Sequence, residues 1–372
     1  MPNTPSAPPH LMALIKDEIH HLISFNTHTR PWHMPIMAAI ASSLPIFLGA
    51  YFGQLSYGLI ASLGAMVFLN LPYQGSFMFR MVQVLACSMG FVACYGIGML
   101  AHLEPRLTLP LLFFIAFWVA VFGRFYRMAP PAGMFILMAS AIALFMPVPA
   151  MQIPFYVGLI GFGCLFAGVI ACIYTLITMA AKHKATKMEP FVYQNDIIIN
   201  SLIVATTVTL SMAIALSMDM TKPYWAAMSS FVIINGVNFQ GIWRKQFQRI
   251  IGTFLGMGVA WWLLSLNLNA WGVAVTMFLL AATIETLVVR NYAFAVIFIT
   301  PMTIIIAEYG SHPLSLVQTV SHSAVILARF WDTVIGCLIG LAGGFVIHHA
   351  HFRPRLHAID QWLIKKLNII ER

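Results

Sequence analysis

Arg329 and Asp332 stand three residues apart in Ala328-Arg-Phe-Trp-Asp-Thr-Val-Ile-Gly336, inside a run otherwise apolar enough to lie in lipid. On a helix that spacing puts both on one face. An ionisable group at bilayer depth costs at least about 2.5 kcal/mol and by default marks a functional site. Counting about 1.5 Å per residue from a helix start near 318 sets Arg329 about 16 Å and Asp332 about 21 Å below the outer boundary. The same count from a start near 270 sets Glu285 at about 22 Å. One cation and two carboxylates can therefore meet at one depth. A guanidinium offers a planar fork of donors to a carboxylate ligand, and a buried carboxylate can take up a proton as that ligand leaves. The alternative is a structural lock. Asp332, Gly336, Gly340 and Gly344 recur every four residues, a small-residue stripe suited to close helix packing.

Other polar groups fall at segment ends. Arg124 and Arg290 head two apolar segments at matched positions, either as membrane anchors or as a basic vestibule that concentrates anions. Asn235 and Asn238 close a short apolar segment near the same end. Arg244-Lys245-Gln-Phe-Gln-Arg249 has the same two readings, with topology signalling preferred. His348, His349 and His351 end the last apolar run, where polar interfacial residues are expected rather than a metal site. No Walker A loop, nucleophile elbow or zinc-binding HExxH is present, so the expectation is no enzyme, no cofactor and no metal.

These residues need an unusual frame to hold them. With 60% of residues hydrophobic and only 8% charged, and a mean hydropathy of +0.86, the chain reads as an all-α polytopic membrane protein. A net charge of +9 does not imply nucleic acid, because Lys and Arg cluster at the ends of apolar runs, the pattern of membrane topology. The five cysteines (Cys87, Cys94, Cys164, Cys172 and Cys337) fall within apolar segments without a CxxC pair and read as packing residues. Residues 1–30 show no cleavable signal pattern, and Leu11–Leu22 reads as an amphipathic surface helix.

Dividing the apolar runs gives about twelve spans: 31–52, 57–71, 81–101, 108–123, 129–146 and 154–181, then 196–217, 223–238, 248–266, 270–288, 292–308 and 318–349. With both termini cytoplasmic, seventeen of the 20 Lys and Arg lie on the inner side, Arg106 and Lys222 lie outside, and Arg329 belongs to neither. At an offset of 166 residues Gln74-Gly75 matches Gln240-Gly241, Gly90 matches Gly256, and Arg124-x-Tyr126 matches Arg290-x-Tyr292. The stripe Ala86, Gly90, Cys94 returns as Gly252, Gly256, Ala260. Two parallel six-helix repeats follow, 31–181 and 196–349, joined by a linker at 182–195 and flanked by segments 1–30 and 350–372. The positions aligned with Glu285 and Arg329, near Val119 and Gly163, carry no charge, so an ionisable site belongs to the second half alone. The second and eighth spans are short in both halves and end in Asn70 or in Asn235 and Asn238, a pointer to a transport site between the repeats.

The second half closely resembles the fusaric-acid-resistance-like (FUSC) family of inner-membrane proteins, which includes aromatic acid exporters. The resemblance rests on five ordered blocks: Lys222-Pro-Tyr-Trp-Ala-Ala-Met228, Arg249-Ile-Ile-Gly-Thr253, Glu285 with Val289-Arg-Asn-Tyr292, Thr300-Pro301, and Ala328 to Gly336. The first half retains Gln74-Gly75 and Arg124-x-Tyr126 but lacks the Trp of the first block and the Arg/Asp pair. Plant aluminium-activated malate transporters are more distantly similar, and there two six-span units pair around an anion path. The resemblance implies an anion-conducting or anion-exporting role for the fused halves. Many family members carry a large cytoplasmic domain, whereas the linker and tail here are short.

The reading from the residues and the resemblance together is a transporter, with Arg329 contacting the anion and Asp332 or Glu285 serving coupling or gating. Its partners would be a small organic anion and the bilayer, without nucleic acid, and a homo-oligomer is compatible with these features. An anion channel and a non-transporting scaffold are the alternatives.

Overall fold

The structure, a computed structural model, describes residues 24, 31–72, 75–126, 128, 133–180, 196–235, 239–311, 322–349 and 353–366. Among the described residues the fold is entirely helical. The first six helices are α1 (His33–Tyr51), α2 (Leu55–Ala65, continued by a 3-10 segment to Asn70), α3 (Phe77–Met99), α4 (Thr108–Phe125), α5 (Met134–Ala143) and α6 (Ile153–Ala180). The second six are α7 (Ile197–Ser217), α8 (Tyr224–Ile234), α9 (Phe239–Ser265), α10 (Ala270–Leu287), α11 (Tyr292–Ser311) and α12 (His322–His348), followed by α13 (Arg353–Lys366). Nine of them are long and apolar enough to cross a membrane; α2, α5 and α8 are shorter. The expectation of about twelve spans thus resolves, among the described residues, into nine helices of spanning length and three shorter apolar ones.

Sequence accounts for the short ones. Pro147 and Pro149 lie just beyond α5, and the residue before a proline disfavours helical geometry. The helix ends at Ala143, where a span to 146 was expected. Pro223 opens α8 and Asn235 closes it. α9 departs the other way. It starts at Phe239 rather than near 248, so Arg244 and Lys245 are helical residues instead of loop residues, on the same helix as Arg249.

Packing partners run in parallel through the two sets. α2 packs on α6 as α8 does on α12, α3 on α5 as α9 on α11, and α3 on α6 as α9 on α12. Contacts between sets follow the same rule: α1 lies on α10 and α7 on α4, while α2 meets α11 and α5 meets α8. Two close approaches fix the second set. A Cβ on Gly256 would come within 2.7 Å of the Ile297 carbonyl oxygen on α11. That carbonyl is the one Pro301, four residues on, cannot bond. On α12, a Cβ on Gly340 would lie 2.9 Å from the Ser230 Cα, so α8 and α12 meet backbone to backbone. The α13 tail is fastened by Asp360, which is fully buried. Its two oxygens accept the Asp196 and Ile199 amides at 2.8 and 3.1 Å, satisfying donors at the N-terminus of α7.

Candidate functional site

Between the two helix sets lies a cavity of about 640 Å³. Its walls come from α1, α2, α4 and α5 on one side and from α8 to α12 on the other. Its charge is lopsided. Among the described residues, Arg124, Arg244, Lys245, Arg249, Arg290 and Arg329 line it against a single carboxylate, Glu285. Such an excess of one sign between low-dielectric walls concentrates counter-ions of the other.

Burial orders these groups from rim to floor. Arg290 and Asn235 are exposed at the rim, and Arg124 is half-buried beside them. Arg124 Nη2 donates to Asn235 Oδ1 at 3.4 Å, joining α4 to the end of α8, while Asn235 Nδ2 caps the Phe231 carbonyl at 2.8 Å. Arg249 lies deeper and is buried. It donates through Nε and Nη2 to Ser229 Oγ at 3.3 and 3.2 Å and through Nη1 to the Tyr292 hydroxyl at 3.0 Å. Lys245 Nζ stands 5.5 Å over the Tyr292 ring. Tyr292 thus holds two cations by two different faces of its chemistry, hydroxyl and π-surface.

Arg329 and Trp225 form the floor, each 3% exposed. The guanidinium carbon sits 3.7 Å from the Trp225 ring centroid, a stacked cation–π contact. Arg329 Nε and Nη1, and both oxygens of Asp332, have no hydrogen-bond partner among the described residues. The intrahelical pair suggested by their spacing is therefore not made. The physical reason is the close α8–α12 contact, which brings the indole face to the guanidinium. Past the floor, Tyr224 packs against Phe145 at 5.9 Å between ring centroids. Lys222 Nζ meets Glu308 Oε1 at 2.7 Å. These contacts gather at the start of α8, the end opposite Asn235.

The structure brings together Arg329, Glu285, Arg124, Arg290 and Asn235 around one space. Asp332 is fully buried but does not line it, so of the expected trio Arg329 and Glu285 face this space and Asp332 does not. Asn238 lies outside the described residues. Sequence reasoning passed over Arg249 and Lys245 as topology signals and treated Trp225 only as a motif residue. The four-residue spacing from Lys245 to Arg249 was the available signal, since it sets both on one helix face.

The chain is a multi-pass helical membrane protein with a basic cavity at the interface of its two helix sets. Residues 210–343, the part that supplies the floor and one wall, match the family described as fusaric acid resistance protein-like. The resemblance carried by the five sequence blocks thus holds over the second half. An uncharacterized membrane protein of Bacillus subtilis (strain 168), YvaC, is 30% identical over 167 residues, 44% of this chain. The chain spans about a quarter of that relative's length, the match covering 25% of it. No solved structure matches the chain.

Proposed function

We propose that this protein is a secondary transporter that exports organic, aromatic-type carboxylate anions across the bacterial inner membrane. The supporting observation is the cavity itself: among the described residues, six cationic side chains against one carboxylate, drawn from both helix sets and floored by Arg329 on Trp225. In this reading the chain arose by duplication, which the parallel packing partners support, and both termini are cytoplasmic. The rim at Arg124 and Arg290 then faces the cytoplasm, and the conformation described is open inward. Arg329 contacts the anion. Glu285, buried in the cavity wall, serves coupling.

The test is flux of a panel of organic acids into and out of proteoliposomes holding the full chain. Export predicts that a subset of acids moves, that movement responds to a pH gradient, and that Arg329→Gln removes it while leaving folded protein. A channel would conduct down the electrochemical gradient whatever the pH difference. A wild type that carries no acid under any gradient would sink the transport reading.

A further inference from the structure

Two opposite charges lie one turn apart on α12, both buried, and neither satisfies the other. Arg329 is 3% exposed and Asp332 fully buried. Nε and Nη1 of the first and both oxygens of the second lack hydrogen-bond partners among the described residues. An i,i+3 pair has its Cβ atoms about 5–6 Å apart, well within the reach of an arginine side chain. Yet the guanidinium lies 3.7 Å over Trp225 instead. A charge-assisted, bidentate contact with a carboxylate is stronger than a ring contact. Trp225 and Asp332 therefore compete for one guanidinium, and an anion that engages it from the cavity side favours the stacked position.

We propose that Arg329 is a two-position switch, with Trp225 and Asp332 as its positioning residues. This rests on the transport reading above. Stacked on Trp225, Arg329 presents donors to an anion in the cavity. Swung back along α12, it pairs with Asp332, which takes the place of the anion as the site empties. Asp332 thereby competes with the substrate for one cation and speeds its release. Trp225 holds the guanidinium in the competent position and favours capture.

The test has a structural and a kinetic arm, both on the full-length protein. In a structure of Trp225→Leu, Arg329 is expected within ion-pair distance of Asp332. A guanidinium still aimed at the cavity and apart from Asp332 overturns the switch, whether or not anything is transported. In proteoliposomes with benzoate as probe, Asp332→Asn should lower KM and maximal rate together, each by about tenfold, while Trp225→Leu should raise KM by about tenfold. The double variant should return KM to within about threefold of wild type, since each change removes one competing position. An Asp332→Asn protein with unchanged KM and merely less folded material makes Asp332 a packing group and ends the proposal. If the wild type moves no benzoate but does move another acid of the panel, that acid replaces benzoate in the kinetic arm. If it moves none, the transport reading fails while the structural arm still decides the switch.

Discussion

The two halves share a packing scheme and differ in what they bury. In both, a short helix lies against a long one, α2 on α6 and α8 on α12, and glycine makes the approach possible. A Cβ on Gly163 would strike the Ala61 carbonyl, and one on Gly336 would strike that of Ala226. Their polar content diverges. Among the described residues the first half buries one charged side chain, Arg80, whereas the second buries Arg249, Glu285, Glu308, Arg329 and Asp332. Arg80 does not line the cavity, while Arg249, Glu285 and Arg329 do. Helix pairing alone does not produce a site. The first half supplies a wall and the second supplies the chemistry.

The largest effects should fall on what the halves have in common. Gly163→Leu and Gly336→Leu both force a side chain into a backbone contact, a change expected to cost about 3 kcal/mol or more. Both should sharply reduce folded protein, read as monodisperse yield in detergent and as thermal unfolding temperature. Gly258, with open space around its Cβ position, should accept Ala with little change. A first-half glycine that tolerated Leu would break the shared packing scheme.

Next come the buried charges, where the halves should part. Arg329→Gln should weaken anion binding by at least about 30-fold, since losing one partner of a buried charge contact costs about 2 kcal/mol or more. Arg80→Gln should reduce stability but leave KM alone, because Arg80 stands apart from the cavity. Matched flux assays on the two variants, normalised to folded protein, make the measurement. Equal losses of affinity would erase the contrast.

A middling effect is expected at the ion pair beside the start of α8. Lys222 and Glu308 are 23% and 9% exposed, so their contact is more than a surface pair and less than a dry one. Glu308→Gln should weaken closure by about 1 kcal/mol, roughly fivefold in the population open at that end. Labelling of a cysteine placed at Phe145 reads that population. No change in labelling would assign the pair to stability alone.

Much of this frame is legible in the chain, and the gaps have physical reasons. Apolar length and prolines mark the helices, so α6 and α10 begin within a residue of where hydropathy sets them. The small stripe Gly252, Gly256 and Ala260 was legible as a packing face; Gly252 and Gly256 do face α11, against the Ala293 and Ile297 carbonyls. Arg244, Lys245 and Arg249 were harder to place. The positive-inside pattern already explained them, and nothing local says that α9 continues back to Phe239 and carries them to the cavity. Asp332 failed for another reason. Spacing of three puts it on Arg329's face, but which of two neighbours the guanidinium takes depends on α8, about a hundred residues away in sequence. Periodicity reports faces and is silent about competing partners on other helices.

The smallest effect tests the comparison most finely. Among the described residues, Arg124 is the first half's one cation on the cavity, half-buried at the rim and hydrogen-bonded to Asn235 at a long 3.4 Å. Its role should be attraction at a distance, because a group reached by solvent is screened within about 10 Å at 0.1 M salt. Arg124→Gln should therefore raise KM only about two- to fivefold at low ionic strength, with maximal rate unchanged, and the difference should vanish near 1 M salt. Arg329→Gln should behave oppositely, its loss persisting in high salt because the contact is buried. Flux measured across a salt series for both variants separates the two. If Arg124→Gln proves as severe and as indifferent to salt as Arg329→Gln, the first half also grips the anion directly. The division into wall and chemistry would then give way to a site built by both halves.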